Sequence, residues 1–238
     1  MAHSYVVTSQ KATAVKFSVV CNLTSPEYQN LVLVKGNYIT IYAAKDGSLI
    51  LEKELPIFGK IQYVDYYRAS QSAPRDTLFI LTDRKTFCCI TYDPESSEFV
   101  TRSNGNVKDR AGRDVEIGQR ALIDPDNRMI GMLIYEGQLK IIPLDPNAGK
   151  MKEAFNVTLN ETRVLDIKFL HGCLKPTLCV LYQDNRQIRH VKTFVVDTRE
   201  KDLLPGPWSH SNVEYGASLL IPVPAAAAAA AAAATATA

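Results

Sequence analysis

The sequence has no large excess of charge of either sign. It contains 27 lysine and arginine residues against 25 aspartate and glutamate residues, a formal net charge of +2 over 238 residues. The basic residues are scattered, and no run of five or more occurs. Binding to nucleic acid or to an anionic membrane depends on a concentrated basic surface. We therefore expect no strong direct binding to either.

Export and membrane signals are also missing. The start, MAHSYVVTSQKATAV, lacks the basic segment and continuous apolar run of a signal peptide. No apolar stretch approaches the ~20 residues that a membrane helix needs. The expectation is a soluble intracellular protein with buried, reduced thiols. Its five cysteines, none in a C-x-x-C spacing, are Cys21, Cys88, Cys89, Cys173 and Cys179.

Patterns that carry catalysis or hold cofactors are sparse. The four histidines are far apart, and no serine lies in a G-x-S-x-G context. The stretch GNVKDRAGR lacks the G-K-[ST] ending of a phosphate-binding loop. The acidic stretches YDPESSE (92–98) and LIDPDNR (122–128) are interpreted as Asp-Pro turns rather than calcium sites. We expect no enzyme activity, no metal and no cofactor.

What the sequence has instead is a series of about seventeen short β-branched and aromatic runs separated by turn residues. Helical periodicity is almost absent, so the chain is predicted to be all-β. Four segments align with one another, and they begin at Asn30, Thr77, Arg128 and Thr177, at spacings of 47, 51 and 49 residues. A further apolar strand lies between consecutive segments. Four strands per roughly 50 residues predict the blades of a β-propeller.

The repeat predicts roughly four blades of an incomplete seven-bladed propeller, in one domain over residues 1–224. The apolar runs LVLV, LFIL, MIGMLI and LCVLY are predicted to be the inner strand of each blade, lining the central channel. The poly-alanine tail, 225–238, is expected to be disordered. A packed helix is the alternative for the tail, although a helix this short is marginal in water.

One connection, Ser103–Arg120, is long for a propeller and rich in arginine and acidic residues. Long loops without structure of their own are usually functional or disordered. Two interpretations stay open, a solvated loop whose charges pair with each other and a surface that contacts a partner. On the second interpretation the candidate partner-binding residues are Asn106, Lys108, Asp109, Arg110 and Arg113.

Several stretches resemble one family closely. They are SYVVTSQKATAV at the start, GNVKDRAGR, IDPDNRMIGMLIYEGQLKIIPLD, VLDIKFLHGC, YQDNRQIRHVKTFVVDTREK and GPW at 206–208. In this order, and over residues 1–224, they are similar to the N-terminal segment of the large subunits of damaged-DNA-binding complexes, a family of adaptors for cullin-4 ubiquitin ligases. The resemblance stops at Pro224, so we expect a truncated first propeller.

The resemblance implies a fold of three seven-bladed propellers in the full-length family and a non-catalytic scaffold function in DNA repair and protein ubiquitination. The implied partners are WD40-type substrate receptors and the rest of a cullin-4 ligase, and the implied location is the nucleus and cytoplasm. More distant relatives imply an alternative, a scaffold subunit of an mRNA splicing or polyadenylation complex. A propeller hydrolase is a third hypothesis, and it would need a cluster of titratable residues at the channel mouth.

Overall fold

The computed structural model of this protein describes residues 10–70, 73–109, 112–161 and 163–224. Within these ranges the chain forms sixteen β-strands and no helix. Accordingly, no helix of the described residues is long and apolar enough to cross a membrane. The strands form four antiparallel sheets, each made of four strands that are consecutive in the chain. The all-β prediction and the prediction of four blade-like units are therefore confirmed.

The first of two compact units comprises the chain as far as Tyr66 together with Pro74–Gly105. Its core is a cluster of buried aliphatic side chains that includes Val32, Ile41 and Ile80. Sheet 1 consists of β1 (Phe17–Cys21), β2 (Asn30–Lys35), β3 (Tyr38–Lys45) and β4 (Ser48–Pro56). Sheet 2 consists of β5 (Ile61–Tyr67), β6 (Thr77–Thr82), β7 (Thr86–Asp93) and β8 (Glu98–Asn106), and the last residues of β5 and β8 fall in the second unit.

The second unit comprises Tyr67–Ala73 and the chain from Asn106 onward. Its core contains aliphatic and aromatic side chains from both of its sheets, among them Leu133, Phe169 and Val180. Sheet 3 consists of β9 (Arg120–Ile123), β10 (Met129–Tyr135), β11 (Gln138–Pro143) and β12 (Phe155–Thr158). Sheet 4 consists of β13 (Val164–Phe169), β14 (Thr177–Gln183), β15 (Arg189–Asp197) and β16 (Asp202–Val213).

The continuous apolar runs occupy the second strand of each sheet, β2, β6, β10 and β14. An innermost strand would be an edge of its sheet, whereas each of these strands has a paired strand on both sides. The prediction that they line a channel was therefore wrong about their position. Their apolarity has another cause, because β6 and β10 are buried along their whole length. The apolar strands predicted between the repeats form the edge strands β5, β9 and β13.

Near the end of the described chain one expected strand is absent and one unexpected strand is present. The last of the apolar runs in the sequence, YGASLLIPV (215–223), predicted a strand, but these residues have no regular structure, and Leu219 and Ile221 are exposed there. The strand before them, β16, is twelve residues long and contains Pro205 and Pro207. It lies at the edge of sheet 4, the position in a sheet where proline is tolerated. The first of the apolar runs in the sequence, YVVT (5–8), which predicted another strand, and the alanine tail lie outside the described residues.

Candidate functional site: the β8–β9 loop and the cavity beside it

The loop between β8 and β9 is attached to the end of β10. Asp114 forms an isolated antiparallel bridge with Tyr135, and the Val115 amide donates to the Ile134 carbonyl at 3.2 Å. The loop therefore adds a short, backbone-paired segment to sheet 3. Backbone pairing of this kind fixes the position of the side chains that the loop presents.

Tyr135 is the main anchor of the loop. Its side chain is almost fully buried, and its hydroxyl accepts a hydrogen bond from the Asp109 amide at 2.8 Å and donates one to the Asp109 carbonyl at 3.2 Å. The loop also crosses the tyrosine ring at Gly112, where a Cβ atom would overlap the ring carbons. A glycine is required at this crossing because no larger residue leaves room for the ring. Asp109 and Gly112, both within the stretch GNVKDRAGR, thus dock the loop on Tyr135.

The structure describes four of the five predicted contact residues, and their surroundings differ. Asn106 is the exposed last residue of β8, and its Oδ1 accepts a hydrogen bond from the Lys108 amide at 2.8 Å. Lys108 itself is exposed. Asp109 is half-buried, and its backbone is bound by Tyr135 as described above. Arg110 lies outside the described residues.

The fifth predicted residue, Arg113, belongs to an exposed charge network. Its Nη2 lies 3.1 Å from Glu116 Oε1, and its Nε lies 3.7 Å from Glu136 Oε2. Arg163 adds a third pair, with Nε 3.9 Å from Glu116 Oε2. The Arg113 side chain is 73% exposed, so these pairs contribute little to stability. The loop is self-paired, as one interpretation predicted, and it also presents charge to solvent from a fixed backbone.

A cavity of about 650 Å³ lies beside this network, where the ends of sheets 3 and 4 meet the loop. Arg113, Glu116 and Glu136 line it, together with Glu161 and Arg163. Sequence patterns did not identify Glu161 or Arg163 as site residues, because both lie in the short β12–β13 connection. The walls are aliphatic and come from Val115, Ile117, Leu133, Leu159, Val164 and Leu165.

At the start of β10, a different arginine forms a buried corner. Arg128 Nε donates to Asp124 Oδ2 at 2.6 Å and Nη2 donates to Asp124 Oδ1 at 2.9 Å. Arg128 Nη1 also donates to the carbonyls of Cys173 and Leu174 in sheet 4's first connection, at 2.9 and 3.0 Å. The Asp124 side chain is fully buried. Hydrogen bonding to Asp124 raises the pKa of Arg128 above its ordinary value.

The turns predicted at the two Asp-Pro stretches are confirmed. Asp124 accepts hydrogen bonds from the Asn127 and Arg128 amides, the first through its carbonyl and the second through its carboxylate. Asp93 accepts from the Glu95 amide and from the Ser96 hydroxyl. Each aspartate therefore accepts hydrogen bonds from, and stabilises, the turn to which it belongs. Across the described ranges, no group of three or more histidine, cysteine, aspartate or glutamate residues is arranged to hold a metal ion.

His190 is half-buried in β15, where its ring stacks on Tyr182 and its Nε2 lies 3.2 Å from Asp184 Oδ2. The pKa of Asp184 is lowered, chiefly because its carboxylate accepts a hydrogen bond from the Ile188 amide; His190 and the Arg186 amide also lower it. This pair closes the β14–β15 turn. The geometry is that of a stabilised turn, with the imidazole packed against an aromatic ring.

Comparison with known proteins gives one family and several relatives. The model of the RSE1/DDB1/CPSF1 first β-propeller matches residues 14–230. The chain is 49% identical over 220 residues to DNA damage-binding protein 1a of Arabidopsis thaliana, which covers 92% of this chain and 20% of the relative. It is 48% identical, with the same coverage, to DNA damage-binding protein 1b of Arabidopsis thaliana and to DNA damage-binding protein 1 of Solanum lycopersicum. The chain thus spans about a fifth of the length of the curated relatives it matches.

Proposed function

Because this chain belongs to the RSE1/DDB1/CPSF1 first β-propeller family, we propose that it is a non-catalytic interaction scaffold, the first-propeller part of an adaptor that links substrate receptors to a cullin-4 ubiquitin ligase. The observation that carries the proposal is the 49% identity to DNA damage-binding protein 1a along 92% of the chain. The proposed partners are WD40-type receptors. The proposed setting is DNA repair and protein ubiquitination, in the nucleus and cytoplasm.

The chemistry of the described surface supports a scaffold role. A scaffold needs a rigid backbone that presents side chains with fixed positions, and the docked β8–β9 loop has this property. Arg113 stands on that loop with most of its side chain in solvent. The near-neutral net charge of +2 favours protein partners over direct nucleic-acid binding. We propose Asn106, Lys108, Asp109, Arg110 and Arg113 as contact residues.

A pull-down from nuclear extract, read by mass spectrometry, tests the proposal. The bait is the tagged chain, with Arg113→Glu as the test variant and Arg199→Glu as the matched control, since Arg199 is an exposed arginine in the β15–β16 turn. We expect the unaltered chain and the control to recover WD40-type receptors. Arg113→Glu should recover about fivefold less, equivalent to ~1 kcal/mol of binding free energy.

Two outcomes would contradict the proposal. Recovery of splicing or polyadenylation subunits in place of ubiquitin-ligase components would assign the chain to the other branch of its family. Recovery of receptors with equal yield from all three baits would leave the scaffold role in place, but it would remove the β8–β9 loop as the contact surface. The two results are distinguishable because one concerns the identity of the partners and the other concerns their dependence on Arg113.

A further inference from the structure

One residue that lines the cavity beside the β8–β9 loop has a buried acceptor that is not satisfied. Glu161 lines the cavity, and its side chain is only 7% exposed. Its Oε1 accepts a hydrogen bond from Lys192 Nζ at 2.8 Å. Its Oε2 is buried and has no hydrogen-bond partner among the described residues. A buried carboxylate oxygen without a donor is unfavourable, so its persistence in a folded protein calls for an explanation.

The remaining charged groups of the cavity do not meet this need. Arg113 is engaged with Glu116 and Glu136, and Arg163 is directed to Glu116. Three carboxylates and two guanidinium groups line the cavity, and Lys192, bound to Glu161 Oε1, balances the third carboxylate, so the demand for a further donor is local to Glu161 Oε2. The missing element at Glu161 is a hydrogen-bond donor, and a cationic donor suits the carboxylate best.

The shape of the cavity limits which cation can enter. Its volume is about 650 Å³, and its walls include Leu133, Leu159 and Val164. Lysine and arginine side chains combine a long aliphatic stem with a charged head, so they can bury methylene groups against such walls while the head reaches a carboxylate. A small inorganic cation would leave the aliphatic walls without a contact.

We propose that this cavity receives a basic side chain, lysine or arginine, from a partner polypeptide, and that the Glu161 side chain turns on binding so that Oε2 leaves its buried position and accepts the hydrogen bond of the charged head. The inference rests on the proposed scaffold function, since it supplies a recognition element for a protein partner. The rim formed by Arg113 and Glu116 lies at the same site, so one partner segment could contact the loop and insert its basic residue beside it.

The first test uses N-acetyl-arginine amide as the probe and N-acetyl-citrulline amide as its uncharged counterpart. Methyl resonances of Leu159 and Val164, two wall residues, are followed by NMR during titration. For a ligand of this size we expect a dissociation constant on the order of 1 mM. The citrulline probe should bind about tenfold more weakly, because it lacks the charge that Glu161 recognises.

Substitutions locate the effect at Glu161. Glu161→Gln keeps the side-chain volume and should weaken binding of the arginine probe about tenfold, whereas Glu153→Gln, an exposed glutamate near the other end of sheet 3, should leave it unchanged. Lys192→Met releases Oε1 as well and should tighten binding, an effect that a purely structural role for Glu161 would not produce.

The inference is overturned if the arginine probe shifts no wall resonance, if Glu161→Gln binds as well as the unaltered chain, or if Lys192→Met does not bind more tightly. Its failure is distinguishable from failure of the proposed function. Receptor recovery in the pull-down without probe binding would retain the scaffold and remove the basic-residue pocket. Probe binding without receptor recovery would retain the pocket and remove the proposed partners.

Discussion

Arg128 and Arg113 each pair with two carboxylates in the second unit, and the surroundings of the two guanidinium groups differ. Arg128 holds the fully buried Asp124 through two hydrogen bonds of 2.6 and 2.9 Å. Arg113 lies 3.1 and 3.7 Å from partners that are themselves half-exposed or exposed. The chemical groups are the same, but Arg128 has one partner, Asp124, that is shielded from water, whereas its second partner, Asp126, and both partners of Arg113 are partly or largely exposed.

This difference distinguishes a structural charge, which is buried and needed for stability, from an available charge, which is exposed and free to bind a partner. Removing one member of a buried ion pair leaves the other unsolvated, whereas an exposed member regains water. Arg128 also connects sheets 3 and 4 through the Cys173 and Leu174 carbonyls. We therefore infer that the Arg128 corner stabilises the second unit. The Arg113 network can exchange its partners at little cost, which is the property that a contact surface requires.

The largest expected effect comes from Arg128→Met. The substitution leaves the buried Asp124 carboxylate without its cation and should lower the free energy of unfolding by about 3 kcal/mol. Urea unfolding followed by circular dichroism measures the change. Arg113→Met is the matched control and should change the free energy by less than ~0.5 kcal/mol. Equal losses from the two substitutions would contradict the distinction between the clusters.

A double substitution identifies the cause of the Arg128 effect. Combining Arg128→Met with Asp124→Leu removes the buried charge together with its partner, so part of the lost free energy of unfolding should return. If the double variant is less stable than Arg128→Met alone, the packing of the Asp124 turn, and not the unpaired charge, determines the loss.

Gly112→Ala is expected to have the next largest effect. The added Cβ overlaps the Tyr135 ring, and that ring is buried and cannot move aside, so the loop must shift. We expect a loss of about 1 to 2 kcal/mol in the free energy of unfolding. Gly216→Ala is the control, because a Cβ there meets no atom within 4 Å. A Gly112→Ala variant as stable as the control would show that the loop is not held against β10 at this point.

Tyr135→Phe tests the same attachment more gently. It removes the hydroxyl that accepts from the Asp109 amide and donates to the Asp109 carbonyl, and we expect a loss of about 1 kcal/mol. Hydrogen exchange of the Asp109 amide should be several-fold faster, while Tyr215→Phe, at a 70% exposed tyrosine, should leave it unchanged. Unaltered exchange at Asp109 in the Tyr135 variant would mean that other contacts hold the loop.

These loop contacts mark the limit of what the sequence could predict. The repeat spacing placed four segment starts at Asn30, Thr77, Arg128 and Thr177, and the second strands of the sheets begin within one residue of each. Apolar runs that recur at a fixed interval can be recognised from the sequence alone, so the strands they form are predictable without knowledge of tertiary contacts. The position of those strands within their sheets depends on pairing between distant residues, and it was predicted wrongly.

The candidate site was predictable in part for the same reason. The charge and length of the β8–β9 loop are visible in the sequence, so Arg113, which lines the cavity, was among the predicted contact residues. The docking of that loop depends on the contact of Gly112 with Tyr135, and the cavity depends on the β12–β13 connection, which carries Glu161, lying beside the loop. Neither of these tertiary contacts leaves a recognisable pattern in the nearby sequence. The edge strand β16 was missed because its prolines are unfavourable in most strands and acceptable at an edge.

The smallest expected effect concerns Asp184, whose charge is intermediate between the buried corner and the exposed rim. Its folded pKa lies below the unfolded value of ~3.9, chiefly because of the Ile188 amide. A lowered folded pKa contributes stability that is present above the unfolded pKa and is lost as the pH falls through the folded pKa. Asp184→Asn keeps an acceptor for the turn amides but removes this titration.

The measurement is the urea midpoint of the unaltered chain and of the variant, from neutral pH to below pH ~3.9. The unaltered chain should lose stability more steeply than Asp184→Asn as the pH falls through the acid range, because the variant has one fewer carboxylate that binds a proton on unfolding. Arg113→Met should keep the steeper slope, since it leaves Asp184 intact. If Asp184→Asn shows the same slope as the unaltered chain, the turn amides do not favour the ionised carboxylate. Burial alone, and not hydrogen bonding to the backbone, would then decide whether a charge in this protein is structural or available.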